Sequence, residues 1–246
     1  MSVSIKSKRE IEIMREAGKI LGTVMRDLSK EVKAGMSTYT LDKIGEEMIR
    51  SYGCIPSCKG YEGYPAAFCI SVNEAIVHSI PSKKIILKEG DIVSLDACLE
   101  YKGYQADAAR TVGVGQISKE AAQLIEVTKQ SFFEGVKYAK EGCHLHEISN
   151  AIAAYNESYG YGVIRELVGH GIGAEMHEDP PIPNFTQQRR GIKLYEGMTL
   201  AIEPMVSAGG YEVEWLDDDW TAVTADRSLA AHYENTVLVT KNGPEI

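Results

Sequence analysis

The chain has 246 residues, 44% of them apolar, enough for a substantial core in one domain or two. A formal net charge of -9, with no run of Lys and Arg, argues against nucleic acid as the main partner, and no apolar stretch is long enough to span a membrane. The amino-terminal run MSVSIKSKREIEIM lacks the apolar core of a secretory signal, so a soluble, cytoplasmic protein is expected. Cys54, Cys58, Cys69, Cys98 and Cys143 are odd in number and contain no C-x-x-C pair, which points to reduced thiols rather than a disulfide framework or zinc knuckle.

Residues 7–30 read as an opening helix. Ser7 with Glu10 forms a capping box, and Ile11, Met14, Leu21, Met25 and Leu28 recur at helical spacing. A second helical segment is expected to open at Gly35 and to stop at Gly53, with Leu41, Ile44 and Met48 on one face. A loop rich in Gly, Pro, Tyr and Cys follows, turns strand-like over residues 67–72 and carries His78. Its polar and aromatic mixture suits a pocket wall. Residues 91–99 (DIVSLDACL) then form a strand that turns around residues 101–103 and returns over 104–114. This hairpin is expected to set Asp96 directly across from Asp107, about 5 to 6 Å apart at their Cβ atoms.

The second half repeats the first. At one constant offset Lys33, Gly35, Ser51, Tyr52, Gly53, Glu89 and Gly90 fall on Lys140, Gly142, Ser158, Tyr159, Gly160, Glu196 and Gly197, with no gap. Leu41, Val93 and Leu95 fall on Ile148, Leu200 and Ile202, and Asp96 falls on Glu203. The pattern predicts an α+β fold of two helix-helix-strand halves packed about a pseudo-two-fold axis. Residues 169–181, GHGIGAEMHEDPP, hold His170 and His177 among three glycines and end on two prolines, which reads as a rigid turn presenting imidazoles. Residues 196–206 and 233–240 read as strands that carry Glu203 and Glu234 on either side of a connection centred on Asp217, Asp218 and Asp219.

Each acid interrupts an apolar run, where a lone carboxylate is costly to bury. Two acid pairs, one per half, should meet at the axis around a cation. An oxygen-rich set with imidazole suits a pair of divalent first-row ions such as Mn, Fe, Co or Zn. Two such ions about 3.5 to 4 Å apart activate water and polarise a carbonyl, which implies hydrolysis of an amide or ester.

With these residues in order, the whole chain resembles the type I methionine aminopeptidases of the pita-bread fold. Carrying the resemblance are the strand reaching Asp96, KGYQADAART around Asp107, GHGIGAEMHEDP, AIEP with Glu203, and YENTVLVT with Glu234. It implies one catalytic domain over residues 1–246, two halves around a curved antiparallel sheet, and removal of an initiator methionine ahead of a small second residue. It implies metal ligation by Asp96, Asp107, His170, Glu203 and Glu234, with Asp107 and Glu234 bridging two divalent ions. Dinuclear metal-activated water would attack the first peptide bond, with Glu203 as proton shuttle. His78 and His177 would contact the substrate, His177 near the scissile carbonyl and His78 near the peptide nitrogen. The methionine pocket implied is Cys58, Tyr61, Tyr64, Cys69 and Trp220, with Phe185 at its margin; sulfur and aromatic neighbours suit a thioether.

By the same resemblance the partners are peptides with an amino-terminal Met, the setting is cytoplasmic with association to the ribosome, and the enzyme is a monomer. Met1-Ser2 is itself an acceptable substrate sequence. A monovalent cation held by backbone carbonyls near Asn73 and Ala75 is implied, although Ala230 stands where relatives have a serine. His232 stands where relatives often carry glutamine. No amino-terminal zinc-binding extension and no type II insertion are expected, leaving a bare catalytic domain. The alternatives within the fold are an Xaa-Pro aminopeptidase and a pita-bread protein that binds partners without catalysis.

Overall fold

Ser7 caps the first helix. Its hydroxyl accepts from the Glu10 N–H at 3.4 Å while the Glu10 carboxylate accepts from the Ser7 N–H at 2.6 Å, and α1 (Lys8–Glu31) follows. The computed structural model describes residues 3–246, so the Met1-Ser2 dipeptide lies outside the described residues. The second helix, α2 (Thr38–Ser51), starts after the expected Gly35, because Ser37 is its cap and accepts from the Thr40 N–H at 3.1 Å. Gly35 instead makes the left-handed turn before it, at φ 85°.

After β1 (Ile55–Pro56) and a 3-10 turn at Tyr61–Gly63 come β2 (Cys69–Val72), β3 (Ala75–Val77), β4 (Ile92–Tyr101) and β5 (Tyr104–Gly113). Strand β2 begins later than residue 67 because the Ala67 and Phe68 N–H groups donate to Oδ1 of buried Asp42, at 2.9 and 3.0 Å. The β4–β5 hairpin closes on Lys102 and Gly103, both left-handed at φ 52° and 82°. That turn fixes a register in which Cys98 faces Asp107 and Asp96 faces Ala109. The expected direct opposition of Asp96 and Asp107 is therefore wrong by one diagonal step. Both still project from the same face, because side chains two apart on a strand do.

The second half contains α3 (Lys119–Val136), α4 (Leu145–Glu157), β6 (Gly162–Val163), β7 (Gly169–Gly171), β8 (Glu178–Ile182), β9 (Thr199–Ile202) and β10 (Met205–Ser207). It ends with β11 (Val213–Trp215), β12 (Ala222–Thr224), β13 (Ala230–His232), β14 (Asn235–Thr240) and β15 (Gly243–Glu245). The single strand expected over residues 196–206 is two strands. Pro204 has no N–H to continue the ladder, so β9 stays beside β14 while β10 leaves to pair with β13 and β6. The strand expected from residue 233 begins at Asn235. Residues 169–181 are not one turn: β7 and β8 form a hairpin, and Pro180 and Pro181 sit on its outer strand, the sheet edge where missing N–H groups cost least.

The first half's sheet runs β1-β4-β2 with β5 on the free side of β4, and the second half's runs β15-β14-β9-β7-β8. The two meet at β5 and β14. Ala109 and Glu234 exchange backbone hydrogen bonds of 3.4 and 3.0 Å, and the Thr236 hydroxyl accepts from the Asp107 N–H at 2.9 Å. Helices α1 and α2 cover one half and α3 and α4 the other, each over its own apolar cluster.

The repeat is visible in three dimensions. Gly35, Gly53 and Gly90 and their counterparts Gly142, Gly160 and Gly197 all adopt positive φ. The Gly35 N–H donates to the Leu87 carbonyl at 2.8 Å, and the Gly142 N–H donates to the equivalent Leu194 carbonyl at 3.0 Å. Even the helix crossing is shared, with the small residue exchanged. A Cβ on Gly45 of α2 would meet Leu28 of α1 at 2.9 Å, and a Cβ on Gly135 of α3 would meet Ile152 of α4 at 2.5 Å. Gly135 and Ile152 occupy the positions of Leu28 and Gly45. Gly135→Ala is therefore expected to cost about 1–3 kcal/mol from overpacking. In a double-mutant cycle by urea unfolding, pairing it with Ile152→Ala should recover part of that loss.

Candidate functional site

One cavity of about 160 Å³ opens between the two halves. Asp96 reaches it from β4 and Asp107 from β5. His170 enters from β7, Glu203 from the break after β9, and Glu234 from the residue just before β14. The β9–β14 register sets Asn235 against Ile202, and carried one residue further it sets Glu234 against Glu203. The glycines around His170 allow close backbone approach. A Cβ on Gly169 would lie 2.4 Å from the Ala201 carbonyl oxygen, and one on Gly171 would lie 2.2 Å from that of Asp179. Expected as turn formers, these glycines serve strand packing instead.

Asp107, His170 and Glu234 each present one ligand atom within 4.8 Å of the others. The Glu203 carboxylate lies beside them, with Oε1 3.6 Å from Nε2 of His170. On its other side His170 is fixed: Nδ1 is 2.8 Å from the Gly171 carbonyl oxygen, so Nδ1 carries the proton and the Nε2 lone pair faces the acids. Carboxylate oxygens with one imidazole are the donor set that first-row divalent ions prefer, and their separations fit such a group.

The electrostatics follow from crowding like charges out of water. Burial, then the Asp107 charge, pushes the Asp96 carboxyl well above the usual carboxylate range. Burial raises Glu203 and Glu234 likewise, reinforced for each by the neighbouring acids. Asp107 is pushed up to about 6 by burial, with the His177 imidazole opposing the rise. Burial also lowers His170 and His177, and lowers His78 to about 4. These imidazoles are therefore neutral at pH 7.

Beyond the acids, Cys58, Tyr61, Tyr64, Cys69 and Trp220 line the same cavity, together with His78 and His177. Tyr64 meets Trp220 edge to face at 5.1 Å between centroids and points its hydroxyl at the Ser79 carbonyl, 2.8 Å away. His177 stands exposed at the mouth, its ring 4.3 Å from that of His170 and its Nδ1 2.7 Å from the Tyr61 hydroxyl. Phe185 is not among the lining residues, whereas Glu62 and Met176 are. Asn184, which no motif marks, is fully buried and donates from Nδ2 to the Glu203 carbonyl at 3.0 Å. Its only signal was an amide in a Pro-rich connection. The role of Arg110 is equally unmarked; its guanidinium donates to the Glu234 carbonyl at 2.5 Å and stacks 4.3 Å from the Tyr233 ring.

Antiparallel halves joined over a centre of carboxylates and imidazole define a metal-dependent hydrolase of the pita-bread fold. The chain belongs to metallopeptidase family M24, which it matches over residues 12–241. It is 56% identical to the methionine aminopeptidase of Clostridium acetobutylicum over 244 residues, 99% of this chain and 98% of that protein. Its fold superposes on the crystal structure of methionine aminopeptidase from Thermotoga maritima with a TM-score of 0.97 and 43% identity, over 100% of this chain and 98% of that one. Against the prolidase from Pyrococcus furiosus the TM-score is 0.77 at 26% identity, over 98% of this chain and 64% of the prolidase.

The raised carboxyl of Asp107 gives a pH test with a definite sign. In the metal-free folded protein this group keeps its proton up to about pH 6, above the ordinary 3.8. The folded state thus binds more protons in that interval, and stability is lost as pH rises through it. Asp107→Asn removes the penalty. By calorimetry on chelator-treated protein, the variant is expected to be more stable than the parent at pH 7.5, by on the order of 3 kcal/mol, with the difference vanishing near pH 4.

Proposed function

We propose that this chain removes the amino-terminal methionine from peptides and proteins whose second residue is small. The observation that carries the reading is the joining, in one cavity, of a carboxylate and imidazole centre with a pocket of thiols and aromatic rings. Near-complete coverage of methionine aminopeptidases, against 64% of the prolidase, supports it over the Xaa-Pro alternative.

Asp96, Asp107, His170, Glu203 and Glu234 would hold two divalent ions drawn from Mn, Fe, Co and Zn, Asp107 and Glu234 serving both. When bound, such ions supply a water nucleophile at neutral pH and polarise the scissile carbonyl. The protein's own residues do the rest. Glu203, beside His170 in the same centre, takes up the proton released by the attacking water and passes it to the leaving amine. With the Tyr61 hydroxyl donating to Nδ1 of His177, Nε2 carries the proton and donates to the carbonyl oxygen as it gains charge. His78, neutral through burial, contacts the peptide nitrogen. Cys58, Tyr61, Tyr64, Cys69 and Trp220 accept the methionine side chain, whose polarisable sulfur gains from such neighbours.

Residues 1–246 act as one catalytic domain in this reading. It works as a monomer in the cytoplasm on chains leaving the ribosome, and five free thiols suit that reducing compartment. Among the described residues no helix is long and apolar enough to cross a membrane. A monovalent cation near Asn73 and Ala75 would be held by backbone carbonyls alone. Ala230 has no hydroxyl to add, and its N–H already donates to the Asn73 carbonyl at 2.8 Å.

Met-Ala-Ser and Ala-Pro-Ala, assayed side by side with Mn or Co present, separate the two peptidase readings. Cleavage of the first and not the second is expected, and the reverse preference would sink the proposal. Asp107→Asn should lower hydrolysis of Met-Ala-Ser by more than roughly a hundredfold and reduce bound metal in the same preparation. Retention of both would remove Asp107 from the bridging role.

A further inference from the structure

The Glu203 carboxylate lies between two imidazoles. Nε2 of His170 is 3.6 Å from Oε1, and Nε2 of His232 is 3.6 Å from Oε2. Only the first ring has its tautomer fixed by a backbone partner. His232 is 1% exposed, and neither of its ring nitrogens has a hydrogen-bond partner. A buried donor without an acceptor is rarely retained unless some state of the protein uses it. The His232 backbone is held on both sides: its N–H donates to the Thr111 hydroxyl at 2.8 Å, and that hydroxyl lies 3.0 Å from the His232 carbonyl. The Glu203 backbone is likewise anchored through Asn184. With both backbones held, a side-chain shift of about 0.7 Å brings Oε2 and Nε2 of His232 into hydrogen-bond range.

We propose that His232 is a positioning residue for Glu203, donating its Nε2–H to Oε2 and turning Oε1 toward the divalent ions beside His170. The inference rests on the metallopeptidase reading. It assigns the two imidazoles opposite roles on one carboxylate. His170 offers a lone pair to the ion, and His232 offers a proton to the acid that shares that ion. Outer hydrogen bonds of this kind fix ligand orientation and typically contribute tenfold to a hundredfold in metal affinity.

The test is calorimetric titration of Mn into chelator-treated protein. His232→Met, which fills the space without a donor, is expected to weaken Mn binding about tenfold to a hundredfold, while His232→Gln, whose amide can donate, stays within about threefold of the parent. The melting temperature of metal-free His232→Met should equal or exceed the parent's, since an unpartnered buried ring is removed; a structural role would lower it instead. In the parent, nitrogen-15 spectra of the histidine rings should gain a slowly exchanging Nε2–H signal when Mg or Zn is added, a readout that requires no variant to fold. Parent-like Mn affinity in His232→Met, or no such signal from a parent that binds metal, overturns the role of His232. A parent that binds no divalent ion overturns the metallopeptidase reading instead.

Discussion

The structure depends on keeping like charges together where water cannot separate them. Asp96, Asp107, Glu203 and Glu234 share one cavity, and each is pushed above the normal carboxylate range by burial, with neighbouring acids adding to the shift for Asp96, Glu203 and Glu234. Carboxyl groups buried in this way destabilise a chain unless protons or cations balance them. The surrounding architecture is a means of holding that arrangement still, with its acids on paired strands and strand junctions whose backbone cannot yield to the repulsion.

Duplication provides the arrangement economically in sequence. Each half brings a strand that presents an acid, preceded by the same left-handed glycine turn at Gly90 and Gly197. The halves then diverge where the chemistry needs asymmetry. In the first half β4 runs straight on past Asp96 for five more residues, whereas in the second β9 ends at Ile202 and Glu203 lies in the break with Pro204. The break sends the chain on to the strand pair that carries His232.

Support for the site comes from far along the chain. The amino-terminal segment lays Lys6 beneath the His177 loop, where its ammonium pairs at 2.5 Å with Glu178 although both side chains are largely buried. The backbone of Lys6 donates to Gly197 at 2.8 Å, so the same residue ties that loop to the glycine turn before β9. Arg110 does the equivalent at the junction of the halves, donating to the carbonyl of Glu234 and to Asn235. Long-range pairs of this type carry no local pattern, and nothing in the residues around Lys6 or Arg110 announces their partners.

What the sequence alone determined follows from local rules. Helical spacing with a capping serine set α1, and the constant offset between Gly35 and Gly142 revealed the two halves. Acids interrupting apolar runs marked the centre, because burial of a bare carboxylate is unfavourable enough to leave a readable trace. Tertiary structure decided the rest. The diagonal placement of Asp96 and Asp107 depends on which two residues close a hairpin, and the hairpin form of residues 169–181 depends on Gly169 packing against Ala201 of β9 and Gly171 against Asp179 across the hairpin. The position of His232 against Glu203 depends on β10 and β13 pairing after the Pro204 break. The first two are settled by how a short turn closes and by what packs beside it, and the third by a pairing of segments more than twenty residues apart, which no local pattern encodes.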